Sequence, residues 1–404
     1  MDPTLSVIMP CYNCSSTLEE AVNSIFIQNL KTSFEVVLVD DGSTDNTREV
    51  IKNLSTTYPE IRVFYHDTNK GGGAARNTAV TKSRSNIIFC LDSDDIIEPN
   101  TLQRMIDFMI ERKCDGVIFE NKKFFINNIK NIKGGGKNII TDKKIQFSDL
   151  FTGIQGPLTL ENFIYTKTAF LKTGGYPTNH GFDTQGFGFR FLAKNQHVCI
   201  CPNSIYYQRI GSKKAYFASV YEKGELSINT FLILSDVIYL FSKKTCRFIM
   251  EYDIFNNTKL GNKNLSSALH KLYIADPEHF FIEKKESYMR EDGFAKFYDE
   301  YKDSHDPEDI FCLGIYSYTQ GEYARSYQYF NALTQIEPHA RVIAYVILRS
   351  SLAIKKENVG TNFDALTLKH FVLTQQKIYL NPNFIIKSLV RLKVRIRNLM
   401  QKNS

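Results

Sequence analysis

Four apolar runs punctuate the first hundred residues, and each ends in turn or acidic residues before helical spacing takes over. Leu5-Ser-Val-Ile-Met-Pro-Cys is a β-branched stretch closed by Pro10 and by Tyr12-Asn13, the pattern of a buried strand running into a loop. Leu18, Ala21, Val22, Ile25 and Phe26 then repeat at helical spacing, with Thr17 and Glu20 placed as a capping box. A second run, Phe34 to Val39, ends in Asp40-Asp41-Gly42, and a helix is expected from about Asn46 to Leu54. The third, Ile61 to Tyr65, leads through Asn69-Lys-Gly-Gly-Gly-Ala-Ala-Arg76 into a helix reaching about Ser83. The fourth, Ile87 to Leu91, closes on Asp92-Ser-Asp94-Asp95, three carboxylates within four residues. Alternation of this kind predicts an α/β unit, a Rossmann-like, mostly parallel sheet wrapped by crossover helices, whose ligands bind beyond the carboxyl ends of the strands. The turns at 10–13, 40–45, 69–76 and 92–95 would then share one rim.

Acidic turns after strands are common, so Asp92-x-Asp94 alone says little. Together with the three upstream segments, in their order and spacing, it closely resembles the N-terminal half of the inverting family 2 glycosyltransferases with the GT-A fold. The resemblance covers residues 4 to 110 and continues more loosely through Gly174-Gly-Tyr176 to Ser212. It implies that Pro10, Tyr12 and Asp41 hold the base of a nucleotide-sugar donor, with Asp41 accepting from a uracil nitrogen. It further implies that Asn69 and Arg76 flank the ribose and diphosphate, that Asp92 contacts the ribose, and that Asp94 carries Mg²⁺ or Mn²⁺. Hard oxygen ligands suit those cations, which would offset the charge of a departing nucleotide diphosphate.

Inversion also needs a base for the acceptor hydroxyl. The family uses a carboxylate of a Glu-Asp pair, a few residues before an Arg on the same helix. Setting Arg190 on that Arg places Asp183 and Thr184 opposite the pair, so Asp183 is the expected base, with His180 and Glu161 as alternatives and helix capping as the ordinary role for Asp183. Tyr207-Gln-Arg209 is similar to a family segment whose Arg closes over the diphosphate, a role suited to a guanidinium. The broken pair keeps a second reading open, an inactive nucleotide-binding scaffold. A nucleotidyltransferase would need a Gly-rich loop after the first strand, where Cys11-Tyr-Asn-Cys-Ser-Ser has none.

At 404 residues, 43% hydrophobic and 13% aromatic, the chain exceeds one compact unit. The expected division is a catalytic domain over 1–215, a helical extension over 216–300, a repeat-like helical region over 301–380 and a terminal helix over 383–404. In the third part Leu313-Gly314, Gly321, Tyr323, Ser326, Phe330, Leu333 and Pro338 fall at the positions of a tetratricopeptide repeat, with Arg341 to Ala353 as half of another. Such a region would serve self-association or the docking of partner enzymes, whereas a plain helix pair would not. In the fourth, Ile385, Leu389, Leu392, Ile396 and Leu399 share one helical face, and Lys387, Arg391, Lys393, Arg395, Arg397 and Lys402 supply six charges to a formal net charge of +7. This basic amphipathic pattern points to an anionic membrane surface, or else to packing on the fold.

No signal peptide or spanning segment is apparent, since the apolar run from Ile228 to Phe241 is short and interrupted, so the expected location is cytoplasmic and peripheral to the membrane. Cys11-x-x-Cys14 and Cys199-x-Cys201 lack a matching zinc knuckle, and all eight cysteines are expected as free thiols. The lysine- and glycine-rich stretch from Asn121 to Phe147 reads as a solvated loop. Nucleic acid is a poor fit as a partner, because the basic residues carry no aromatic platform pattern. The partners expected are a UDP-sugar and a surface-glycan acceptor of the capsule, teichoic acid or lipopolysaccharide type.

Overall fold

The computed structural model of the chain describes residues 2–137, 145–152, 160–178, 181–211, 226–252 and 265–337. It divides into two compact units, one formed by Met1–Thr245 with Ile254–Glu300 and the other by Cys246–Asp253 with Tyr301–Ser404.

The first unit is built on one mixed sheet of nine strands. Strands β1 (Leu5–Cys11), β2 (Phe34–Asp40), β3 (Ile61–Tyr65) and β4 (Ile87–Cys90) are joined by helices α1 (Leu18–Phe26), α2 (Thr47–Thr57) and α3 (Gly72–Lys82). They lie parallel in the order β3-β2-β1-β4. Their residues read as continuous apolar runs because both faces are covered: Val7, Ile8, Val36 to Val39, Ile88 and Phe89 have no exposed surface. Leu18, Ala21, Val22 and Ile25 bury the inner face of α1, each large side chain contributing about 1.5–3 kcal/mol.

Beyond β4 the sheet turns mixed. It continues through β5 (Ile96–Ile97), α4 (Thr101–Arg112), β6 (Gly116–Phe125), β7 (Ile132–Lys137), α5 (Asp149–Thr152), β8 (Ile164–Thr166), α6 (Lys167–Thr173), α7 (Asp183–Ala193) and β9 (Val198–Arg209). Strand β8 sits antiparallel between β4 and β6, while β9 runs parallel to β6 and carries β5 on its far edge. Helices Leu226–Ser235, Leu265–Ala275 and Gly293–Tyr301 follow, with an aromatic cluster of Phe147, Phe151, Phe189, Phe241, Phe280 and Phe281 beside them.

Three expectations are corrected. Thr17 does not cap α1: its hydroxyl donates to the Cys14 carbonyl at 3.3 Å, and the turn from Cys14 already takes the backbone N–H of Leu18. The stretch from Asn121 is not a free loop through residue 137. Strands β6 and β7 form a hairpin, possible because Gly135 has no Cβ to meet the Lys122 carbonyl, which would lie only 2.3 Å away. Nor are all the cysteines free, since Cys114 and Cys199 form a disulfide across an 85-residue separation. The other six are buried thiols, with the Sγ atoms of Cys246 and Cys312 3.4 Å apart.

In the second unit helices Pro307–Thr319 and Tyr323–Ile336 form a close pair. Gly314 faces the Phe330 ring, and Ser326 Oγ donates to the Gly314 carbonyl at 2.8 Å. Arg247 joins them through Glu308 and Glu337 at 2.6 and 2.5 Å. The close approach at small residues is therefore present, but a repeat array is not established. The second half-repeat at 341–353 and the terminal pattern at 383–404 lie outside the described residues.

Candidate active site

The four turns do meet on one rim, tied by side-chain-to-backbone hydrogen bonds. Asn13, in the left-handed region at φ 50°, accepts from Thr44 N at 2.8 Å and so fastens the turn after β1 to the turn after β2. Asp41 is buried. Its Oδ1 accepts from His66 Nδ1 at 2.6 Å and Lys70 N at 2.9 Å, and its Oδ2 from Gly71 N at 2.8 Å. Pro10 is the penultimate residue of β1, while Tyr12 and Asn69 are exposed. Gly42, at φ +71°, lets the 68–69 backbone close in, since a Cβ there would stand 2.7 Å from Asn69 N.

Arg76 is the hub of the rim. It is buried, donates from Nη1 to Asp183 Oδ2 at 2.6 Å and pairs through Nη2 with Asp92. Burial opposes its charge, but Asp183 and then Asp92 more than offset that and hold the guanidinium protonated. The glycine run is what permits the arrangement. A Cβ on Gly72 would lie 2.6 Å from Arg76 Nη1 and 2.9 Å from Asp183 Oδ2, and one on Gly73 would lie 2.0 Å from the Pro177 carbonyl. Asp183 stands at the first turn of α7, where the helix dipole favours a carboxylate.

The three acids after β4 have separate environments. Asp92 is shared between Arg76 and Asn162, whose Nδ2 donates to it at 2.8 Å. Asp95 points inward, accepting from Tyr206 Oη and from Arg209 N, both at 2.7 Å; burial, then Asp94 and Asp92, raises its pKa strongly. Asp94 is raised to about 6, first by burial and then by the charge of Asp92. Arg209 is engaged with the Asp94 carbonyl at 2.8 Å, the Ile126 carbonyl at 3.0 Å and Glu20, and it lies over the Phe125 ring. Arg209 thus sits beside the acid turn, with its guanidinium already occupied by protein partners.

Asn162 had no signal in a local pattern, and Glu161 was expected only as an alternative base. Asn162, at φ 49°, links Asp92 to Tyr206, and its Oδ1 is buried without a hydrogen-bond partner. Glu161 accepts from Lys122 Nζ at 2.5 Å and Gln185 Nε2 at 2.6 Å, which places a half-buried carboxylate next to α7. His180 lies outside the described residues.

Comparison with known proteins fits this rim. Residues 6–182 match the profile of Glycosyl transferase family 2. That segment, under half of the chain, is similar to the family. The chain is 33% identical over 154 residues to an uncharacterized glycosyltransferase of Haemophilus influenzae, covering 38% of this chain and 59% of that one. It is 40% identical over 105 residues to the chondroitin synthase of Escherichia coli, covering 26% and 15%. It is 36% identical over 119 residues to the poly(ribitol-phosphate) beta-N-acetylglucosaminyltransferase TarS of Staphylococcus aureus, covering 29% and 21%. The chain therefore spans less than two thirds of the length of each of these relatives. The crystal structure of S. aureus TarS 1–349 with UDP-GlcNAc aligns over 90% of this chain and 93% of that one, at 19% identity and a TM-score of 0.49. The family 2 segment ends just before α7, so Asp183 and Arg209 lie past the matched residues.

Proposed function

We propose that the chain is an inverting, metal-dependent glycosyltransferase that moves a sugar from a UDP-sugar to a hydroxyl of a surface-glycan acceptor. The observation that carries this reading is the rim itself: a family 2 segment whose turns place Asp41, Arg76, Asp92 and Asp94 together at the strand ends. The glycan class is supported by relatives named for chondroitin and for poly(ribitol-phosphate).

Asp94 fits a hard divalent cation. Its carboxylate is disfavoured as an anion by burial and by Asp92, and the orphaned Asn162 Oδ1 marks the same rim as short of positive partners. Bound there, Mg²⁺ or Mn²⁺ would neutralise the diphosphate as the glycosidic bond breaks. The chain's own groups do the rest. Asp41 presents a carboxylate held by three N–H donors to the nucleobase, Pro10 and Tyr12 line the base, and Asn69 stands at the ribose side. Arg76 turns from Asp183 towards the diphosphate, and Asp92 meets the ribose. Arg209 exchanges Glu20 for phosphate oxygens, a pairing that a guanidinium makes well. Asp183, released from Arg76, takes the acceptor proton as the hydroxyl attacks the anomeric carbon.

The buried ion pair with Arg76 occupies the Asp183 carboxylate for as long as it persists, and this favours a second reading in which Glu161 is the base. Purified protein with Mn²⁺ and UDP-glucose, UDP-galactose or their N-acetyl forms should release UDP slowly without acceptor. No release from any donor would leave the inactive scaffold as the better reading. With a competent donor, Asp183→Asn and Glu161→Gln separate the two bases.

A further inference from the structure

A second cluster of chemically capable side chains lies at the opposite strand ends of the sheet. Strand β6 runs in the same direction as β4, since both are antiparallel to β8, so the starts of β6 and β9 face away from the donor rim. Cys114 lies two residues before β6, His197 immediately precedes β9, and Cys199 is the second residue of β9. Their Sγ, imidazole nitrogen and Sγ atoms lie within 4.8 Å of one another.

The cluster is held on rigid backbone. Asp115 N and Gly116 N donate to the His197 carbonyl at 2.7 and 3.1 Å, and His197 N donates to Asp115 Oδ2 at 2.7 Å. The imidazole is oriented as a metal ligand would be: Nδ1 faces the Lys113 carbonyl at 3.2 Å, leaving Nε2 directed at Cys199 Sγ, 3.5 Å away. A backbone carbonyl that fixes the tautomer through the remote nitrogen is the usual support of a metal-bound histidine. Two thiolates and an imidazole are ligands for a soft or borderline cation rather than for the hard ion of the donor rim.

We propose that Cys114, His197 and Cys199 form a zinc site that is closed by oxidation. In the oxidised state the two sulfurs are joined, as described above. A dithiol reductant supplies two electrons and two protons, the S–S bond breaks to two thiols, and the reductant becomes a disulfide. Zn²⁺ then displaces both thiol protons and takes the Nε2 lone pair of neutral His197, with water as fourth ligand. Re-oxidation by a small-molecule disulfide re-forms the S–S bond, passes two electrons to that disulfide, which takes up two protons and leaves as two thiols, and releases Zn²⁺. The site is independent of the proposed transferase activity.

The full-length chain, reduced and desalted without oxygen, should retain one Zn²⁺ when titrated and assayed with a chromophoric chelator, and the oxidised chain should retain none at this site. Co²⁺ in its place should give a thiolate-to-cobalt charge-transfer band that is lost in Cys199→Ser. His197→Ala should weaken binding at least about tenfold while leaving both thiols titratable. The comparison of oxidised with reduced wild-type protein requires no variant, so it holds even if a substitution misfolds. Equal zinc retention in the two redox states, a cobalt band that persists in Cys199→Ser, or unchanged affinity in His197→Ala would each overturn the site.

Discussion

Asp94 is where single-residue electrostatics bears most directly on function. With its pKa raised to about 6 by burial and by Asp92, protons compete with a cation over a mildly acidic range. Metal-assisted donor binding should therefore weaken as pH falls below about 6 and level off above it, which calorimetry with UDP and Mn²⁺ at several pH values can follow. The stability linkage has the opposite sense. A folded carboxyl with a raised pKa binds more protons than the unfolded chain between about pH 4 and 6, so its contribution to stability declines as pH rises through that window. Asp94→Asn should abolish turnover and remove the metal dependence of donor affinity; undiminished activity of that variant in EDTA would exclude the metal-dependent reading. At Asp183 the expected outcome is kinetic. Asp183→Asn should lower kcat by roughly 10²-fold with donor affinity kept, whereas an unchanged kcat would move the base to Glu161. The roles suggested for these residues could be framed from motifs alone, but their partners could not. Arg76 meets Asp183 across 107 positions of sequence, and no local spacing reports that pairing.

At the level of elements, the alternation of strand and helix through residue 95 was legible because buried parallel strands are apolar on both faces and glycine and acid mark their ends. The later half was less so. Strand β6 carries Asn121, Lys122 and Lys123 in its outer part and pairs there with an exposed glycine strand, so neither apolar alternation nor β propensity signals the hairpin. What permits it is steric, the absence of a Cβ at Gly135. Gly135→Ala should therefore break the outer hairpin and expose the segment to limited proteolysis, while Gly136→Ala, with open space around it, should stay within about ±0.5 kcal/mol of wild type. On α3 the same logic makes Gly73→Ala the severe change, since its Cβ would press on the Pro177 carbonyl at 2.0 Å. The disulfide was missed for a different reason. Cys114 and Cys199 are far apart in sequence, and only the parallel register of β6 with β9 brings them together.

For the whole molecule, charge is unevenly distributed. Six basic residues between Lys387 and Lys402 nearly equal the formal net charge of +7, leaving the rest close to neutral. Deleting 383–404 should release the protein from anionic vesicles while donor hydrolysis in solution persists, and about 0.5 M salt should detach the intact chain, since screening then acts within a few ångströms. Loss of solubility in the truncated chain, with no vesicle binding by the intact one even at low salt, would instead mean that the segment packs on the fold. The sheet also sets a schedule for the chain as it is made. Asp95 finds its donors in Tyr206 and Arg209, 111 and 114 residues further on. During synthesis at about 5–20 residues per second, the acid turn waits on the order of ten seconds for the strand that completes it. Over that interval the nascent β1–β4 sheet presents β4 as an open edge beside unpaired carboxylates, so a ribosome pausing between residues 100 and 200 should yield more chaperone-bound or aggregated chain than one pausing after residue 211.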